Sequence, residues 1–391
     1  MSILFITNRN IVNTCGELRL IKNRATVLQS EYKKSTDFIV CRSKKCARKA
    51  QEEIGAESTL TKFLYAEKNP FSILHNFKLL KKAVFQRLKD NKYEAVILSG
   101  TLVLFLAKKI KKKYPNTKIM IDVHGALEEL VEFKGKGAFK NFIRAIIFKV
   151  FKSIERRYMK YADGFLAVSV ALKEYLIKEY QLANKKFFII PCAQGRQQLQ
   201  TEERKANRSK YREKYGIKDD EKLFIYSGGL SQWQCIEESV QMFRDIYAKD
   251  KKAKLLLLTG NIEGIRKYQR EGILVDSLPF YLVNEVICAG DYAFMLRGNF
   301  VTNKVAYPNK FIEYVASGMK IIATPYVDDV AQQIKTYGLG CIVEDSAEPL
   351  LQYVESEYVY MEDVQKRQDL LNDVCFENRL RPLVEFIKEG N

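Results

Sequence analysis

Short runs of β-branched and aromatic residues alternate along the chain with longer segments in which apolar residues recur every three or four positions. This alternation predicts parallel strands covered by helices. A strand buried on both faces reads as an unbroken apolar run, and its crossover helix reads with a period of 3.6. The first series of expected strands covers 3–7, 37–41, 62–65, 95–98, 118–123, 164–168 and 187–190. A second covers 223–226, 254–258, 273–275, 292–296, 320–323 and 340–343. Between them, 194–221 is polar and highly charged with no apolar run, and it reads as an interdomain connection with a surface helix near 204–215. The expected domains are therefore 1–193 and 194–375, both α/β, with ligands at the carboxyl ends of the strands and the space between the domains as the default site.

Composition fits this division. A chain of 391 residues is too long for one hydrophobic core, and 47% hydrophobic with 29% charged residues excludes a disordered or collagen-like polymer. The eight cysteines, at 15, 41, 46, 192, 235, 288, 341 and 375, form no C-x-x-C pair and read as free thiols of a reducing compartment. The two histidines, His75 and His124, lie far apart, and no D-x-D follows a strand, so neither a zinc site nor a phosphate-bridging metal is expected, nor any cofactor. His75, in a basic helical segment, reads as structural. The apolar start lacks a basic segment before it and reads as a first strand rather than a secretory signal. The longest nearly apolar stretch, 95–107, is too short to cross a bilayer, which predicts a soluble or peripheral protein.

The richest stretch is GDYAFMLRGNFVTNKVAYPNKFIEYVASGMKIIATP, 290–325, read as strand, polar loop, helix and strand. The strand is expected to end at Arg297, and the helix to begin with Pro308 in its first position and stop near Gly318. A helix start with Arg297, Asn303, Lys304 and Lys310 around it suits a diphosphate, and Glu313, five residues into the helix, would reach a sugar hydroxyl beside it. Taken singly, these are also ordinary surface charges. Gly228 and Gly229, after the strand 223–226, permit close approach to a phosphate or sugar, and Trp233 reads as a stacking platform or as core. In the first domain His124 directly follows the strand 118–123, at its carboxyl end, and reads as an active-site group; Glu128 and Glu129 follow as a base or as helix-start carboxylates.

The segment PNKFIEYVASGMKIIA, starting at Pro308, resembles the donor-binding segment of family 4 glycosyltransferases of the GT-B fold, typically P-x-K-x-x-E-Y-x-A-x-G-x-P-V-I. YSGGLS from Tyr226, ADGFLAVS from Ala162 and DVHGALEE from Asp122 extend the resemblance over most of the chain. It implies two Rossmann-like domains facing across a cleft, with the first binding acceptor and the second a nucleotide-sugar. Glu313 would hold the nucleotide ribose, His124 would lie in the active site, transfer would proceed with retention, and the helical tail 376–391 would return to the first domain. Two departures stand out. The first glutamate of the family's common pair is replaced by Val305, and Gly229 and Gln234 stand where an Arg and a Lys are usual. These departures resemble those of bacterial surface-polysaccharide transferases, and they also fit a catalytically silent binding or partner-supporting protein. A nucleotide-sugar epimerase is a third possibility, weakened by the shortage of groups for proton transfer.

The net charge is +18, and much of it is concentrated. From 134 to 161 there are nine Lys or Arg and one acid, with Ile143, Ile146, Ile147, Val150, Ile154 and Tyr158 at helical spacing and four phenylalanines widening the stripe. This pattern predicts a membrane-surface helix with Lys149, Lys152, Arg156 and Arg157 toward anionic lipid, strengthened by the KKIKKK run at 108–113; a helix packed on the first sheet is the competing reading. A peripheral location on the inner face of the plasma membrane and a lipid-linked saccharide acceptor follow. No nucleic-acid-binding motif is present, so charge alone supports only non-specific contact of that kind.

Overall fold

The structure, a computed structural model, describes residues 2–10, 16–42, 60–64, 70–133, 135, 137–193, 201–344, 348–355 and 363–389. The side chains of His75, Cys15, Cys41 and Cys46 lie outside the described set, as do Tyr65 and 194–200 of the connection. The chain forms two compact units, Met1–Gly195 with Val374–Asn391, and Arg196–Asp373.

The first unit holds a seven-stranded sheet: β1 (Ser2–Asn10), β2 (Ser35–Arg42), β3 (Leu60–Leu64), β4 (Ala95–Ser99), β5 (Lys118–Val123), β6 (Gly164–Ala167) and β7 (Lys186–Ile189). Every pairing is parallel and the order is β3-β2-β1-β4-β5-β6-β7. The winding reverses between β1 and β4, and such a reversal opens a crevice at the carboxyl ends of the strands. Helices α1 (Gly16–Ser30), α2 (Pro70–Asp90), α3 (Phe105–Lys113), α4 (Ala138–Tyr158) and α5 (Val170–Tyr180) follow in chain order. The C-terminal helix, Phe376–Lys388, packs on α1 and β7. It buries Phe376, Leu380, Leu383, Val384 and Ile387, one face of a helical period, and its Phe386 ring meets Phe188 at 5.4 Å.

The second unit repeats the plan with six strands: β8 (Lys222–Ser227), β9 (Ala253–Leu258), β10 (Ile273–Asp276), β11 (Tyr292–Met295), β12 (Lys320–Ala323) and β13 (Gly340–Ile342), ordered β10-β9-β8-β11-β12-β13 and all parallel. Phe224 stacks on Tyr292 at 4.8 Å and on Phe294 at 5.7 Å, tying the two strands of its reversal together. The charged helix α6 (Thr201–Lys214), which precedes α7 (Ile236–Lys249), is anchored rather than adrift. Arg208 and Arg212 both pair with buried Asp291, whose carboxylate also accepts the Leu223 N–H at 2.7 Å.

The α/β reading therefore holds. Small displacements occur around the informative stretch: β11 stops at Met295, before Arg297, and Pro308 caps helix α8 (Asn309–Ser317) instead of forming its first turn. Gly318 ends that helix in the left-handed conformation, φ 88°, which glycine adopts without strain.

Helix α4 departs from the usual amphipathic arrangement. Its buried residues are Lys152 and Glu155, while Phe139, Phe142, Ile143, Ile146, Ile147 and Val150 are exposed, Phe139 by 75%. The polar face turns inward because it is matched there. Lys152 Nζ lies 2.9 Å from Glu128 and 3.4 Å from Glu179, and its other neighbour is the Tyr175 hydroxyl; Glu155 accepts from Thr101 at 2.8 Å and from Tyr180. Burial pushes the Glu155 carboxyl up, against those two donors. This corrects the expectation for Lys152, which is 7% exposed and held by carboxylates instead of facing lipid. Lys149, Arg156 and Arg157 are exposed, with Arg156 also pairing to Glu179 at 2.8 Å.

Candidate functional site

In the second unit the carboxyl ends of β8, β11 and β12 stand side by side, and the predicted donor residues gather there. Gly228 and Gly229 follow β8. A Cβ on Gly228 would lie 2.3 Å from Lys310 Nζ and 2.7 Å from Gln234 Oε1, and one on Gly229 2.8 Å from Gln234 Nε2. The glycine pair is thus the space into which Lys310 and Gln234 fold, and φ of 154° at Gly228 adds a conformation that side chains disfavour. Lys310 Nζ donates to Gln234 Oε1 at 2.9 Å and sits 4.9 Å from the Tyr226 ring centre. Tyr226 in turn donates to the Gly229 carbonyl at 2.7 Å, fixing the loop.

Arg297 follows β11 and is 5% exposed. Its backbone N–H donates to Thr324 Oγ1 at 2.8 Å, the same hydroxyl donates to the Arg297 carbonyl at 2.8 Å, and the guanidinium donates to the Leu296 carbonyl at 2.7 Å. Tyr314 locks α8 onto the end of β8, its hydroxyl accepting the Ser227 N–H at 2.9 Å. No side chain caps the start of α8, which leaves the helix's positive end to the same region. Burial pushes Arg297 below its ordinary pKa. Burial also pushes Lys310 well below, helped by Arg297 and opposed by Glu313, which lies half-buried one turn along α8. Two cations are therefore held in a desolvated place where an anion would stabilise both.

Two expected donor residues do other work. Asn303 is buried and its amide donates to the Gly298 carbonyl at 2.9 Å, shaping the loop; Lys304 points out as an exposed charge. Trp233 is half-buried in the turn Gln232–Gln234. Tyr226, Tyr314 and Thr324 escaped sequence reading because strand-end and mid-helix tyrosines look like core until register brings them together.

In the first unit a cavity of about 600 Å³ opens at the carboxyl ends of β4 and β5, bounded by Gly100, Thr101, Asp122, His124, Glu129 and Arg144 among others. His124 Nε2 lies 2.7 Å from Asp122 Oδ2. Asp122 is buried beneath it, and its other oxygen accepts from Arg24 at 2.7 Å, while the same guanidinium donates to the Ile190 carbonyl at 2.6 Å. Burial alone would raise the Asp122 carboxyl, but Arg24 and His124 outweigh it and bring it to about 2. The anion is permanent at neutral pH and fixes the imidazole's orientation. Glu129 is exposed at the cavity. Glu128 corrects its expectation: one oxygen pairs with Lys152 at 2.9 Å and the other accepts from Tyr175 at 2.6 Å, so it is committed to holding α4 and is not among the cavity's lining residues.

Among the described residues, no group of three His, Cys, Asp or Glu is arranged to hold a metal ion. Comparison with known proteins gives this geometry a class. A glycosyltransferase from Rickettsia africae superposes with a TM-score of 0.69 at 17% identity, covering 100% of this chain and 98% of that one. WaaG, a glycosyltransferase involved in lipopolysaccharide biosynthesis, gives 0.68 at 13%, covering 98% and 99%. The pneumococcal O-GlcNAc transferase GtfA, solved with UDP and GlcNAc, gives 0.65 at 10%, covering 100% and 99%. The fold they share with this chain is GT-B. Residues 38–193 match the profile of Glycosyltransferase Family 4. A search of curated sequences gives no match.

Proposed function

We propose that the second unit binds a nucleotide-sugar at the β8–β11 reversal and that the sugar passes, with retention at the anomeric carbon, to a lipid-linked saccharide in surface-polysaccharide synthesis. The observation that carries this reading is the pair of desolvated cations, Arg297 and Lys310, beside the Gly228–Gly229 loop and the start of α8. They take the place of the absent Arg and Lys at Gly229 and Gln234 and stabilise the leaving diphosphate without a metal. Lys310 reaches Gln234 itself, so a cation from α8 supplies charge where the glycine loop does not. Glu313 accepts from the nucleotide ribose, and the leaving diphosphate takes the acceptor proton. GtfA, solved with UDP and GlcNAc, supports a donor of this kind.

The first unit presents the acceptor in the cavity below β4 and β5, where His124, oriented by Asp122, hydrogen-bonds a saccharide hydroxyl and Glu129 lies within the same wall. The outward apolar face of α4, with Lys149 and Arg157 exposed on the same helix, supports attachment of this unit to an anionic membrane from its cytoplasmic side. Such a face in water is unfavourable, and lipid removes it from water.

Donor turnover with EDTA present, followed by proton NMR of the anomeric signal, tests the reading. Retained configuration and loss of turnover in Glu313→Ala are expected. Wild-type turnover by Glu313→Ala, or an inverted product, contradicts it. Nucleotide binding without turnover in the presence of membrane-extracted acceptors favours the silent binding protein, for which Val305, Gly229 and Gln234 are the grounds.

A further inference from the structure

Six lysines converge on one groove of the first unit: Lys78, Lys81 and Lys82 from α2 and Lys109, Lys112 and Lys113 from α3, with Phe85 between them and a volume of about 750 Å³. The spacing explains the convergence. On α2 the residues 78, 81, 82 and 85 follow i, i+3, i+4 and i+7, and on α3 the residues 109, 112 and 113 follow i, i+3 and i+4, so each set shares one helix face. Ring contacts hold the faces opposite each other, Phe77 on Phe105 at 5.4 Å and Phe85 on Tyr114 at 6.3 Å.

All six lysines are exposed, and among the described residues none of them forms an ion pair. In the same basic run Lys111 pairs with Asp163 at 2.6 Å, whereas the groove's Lys109 and Lys113 meet rings, Phe105 at 5.9 Å and Phe85 at 5.5 Å. Desolvation and the proximity of Lys81 push the Lys109 ammonium below its ordinary value. Like charges at i, i+4 on both helices repel, and no acid of the groove relieves them.

We propose that this groove seats the phosphate of an anionic phospholipid headgroup. The proposal rests on the membrane reading given above and adds a second, polar point of attachment to it. Two features favour a lipid over a soluble anion. α3 packs directly on α4, the helix whose Phe139, Phe142 and Ile146 face outward, so the charged groove and the apolar stripe belong to neighbouring helices. The groove wall is made of lysine methylenes and the Phe85 ring with ammonium groups above, the form in which lysine stems cover apolar surface while their charges reach headgroups.

The full chain is titrated with phosphatidylcholine vesicles, with and without phosphatidylglycerol, and compared with the triple variant Lys81→Gln, Lys109→Gln, Lys112→Gln and the double variant Phe142→Ser, Ile146→Ser. The triple variant should bind the anionic vesicles about a hundredfold more weakly with a shallower salt dependence, and melt no earlier than wild type. The double variant should lose binding to both vesicle types. Wild-type binding by the triple variant, with loss in the double variant, overturns the groove and leaves the α4 reading standing. Undiminished binding by the double variant overturns the α4 reading. Tripolyphosphate or duplex DNA binding the groove more tightly than anionic vesicles at equal salt overturns the headgroup assignment.

Discussion

The two sheets reverse their winding at the same place, yet the charges at the two sites are used in opposite ways. In the first unit the buried carboxylate of Asp122 is answered by Arg24 and His124 within the chain, and the pair is closed by the Ile190 carbonyl. In the second unit the buried Arg297 and the partly buried Lys310 meet carbonyl, amide and ring groups, with Glu313 the acid that bears on Lys310 from a turn away. A site whose charge is internally matched holds a side chain in place. A site whose positive charge is met mainly by neutral groups is strengthened by an anion brought from outside.

This contrast can be broken most forcefully at Arg24. Arg24→Met leaves the Asp122 carboxylate buried without its guanidinium and should destabilise the first unit by about 3–5 kcal/mol in urea unfolding, since removing one partner strands the other. A loss below about 1 kcal/mol would mean that Asp122 is relieved by water. Next comes acid. Because the folded pKa of Asp122 is lowered to about 2 from its ordinary 3.8, the unfolded state binds the proton more readily. The pair's stabilisation is present above pH 4 and disappears as pH falls toward 2, about 2 kcal/mol in all, and Asp122→Asn should flatten that part of the stability profile. The smallest effect lies in the second unit. Gly228→Ala introduces strain at φ 154° and pushes the Lys310 amine out of its place, which should lower stability by roughly 1–2 kcal/mol and weaken nucleotide binding at the same time. Lost stability with unchanged nucleotide affinity would separate the glycine loop from the donor site.

Much of the architecture was legible because parallel strands are buried on both faces. Runs such as AVILS at β4 and AKLLLL at β9 have no competing reading between turn signals, and their expected limits differ from those found by a residue or two. The stretch around Pro308 was legible for the same reason, helped by glycine at the end of α8. What escaped was pairing at long range. Arg24 meets Asp122 across 98 positions, and nothing in a helical arginine announces that it is fully buried. Glu128 lies four residues after His124 in sequence and so looked catalytic, but Tyr175 and Lys152 from two other helices claim it. The same hidden partners turned Lys152 inward. The apolar stripe of α4 was visible in the sequence, while the side it faces is decided by those partners.

Calorimetry of UDP, GDP and TDP binding tests the central claim most directly, using the full chain and its Lys310→Ala variant with EDTA present. Binding of a nucleoside diphosphate is expected, and the variant should bind about tenfold to a hundredfold more weakly, since it lacks the ammonium beside the Gly228–Gly229 loop. Equal affinity in the two proteins would contradict the account.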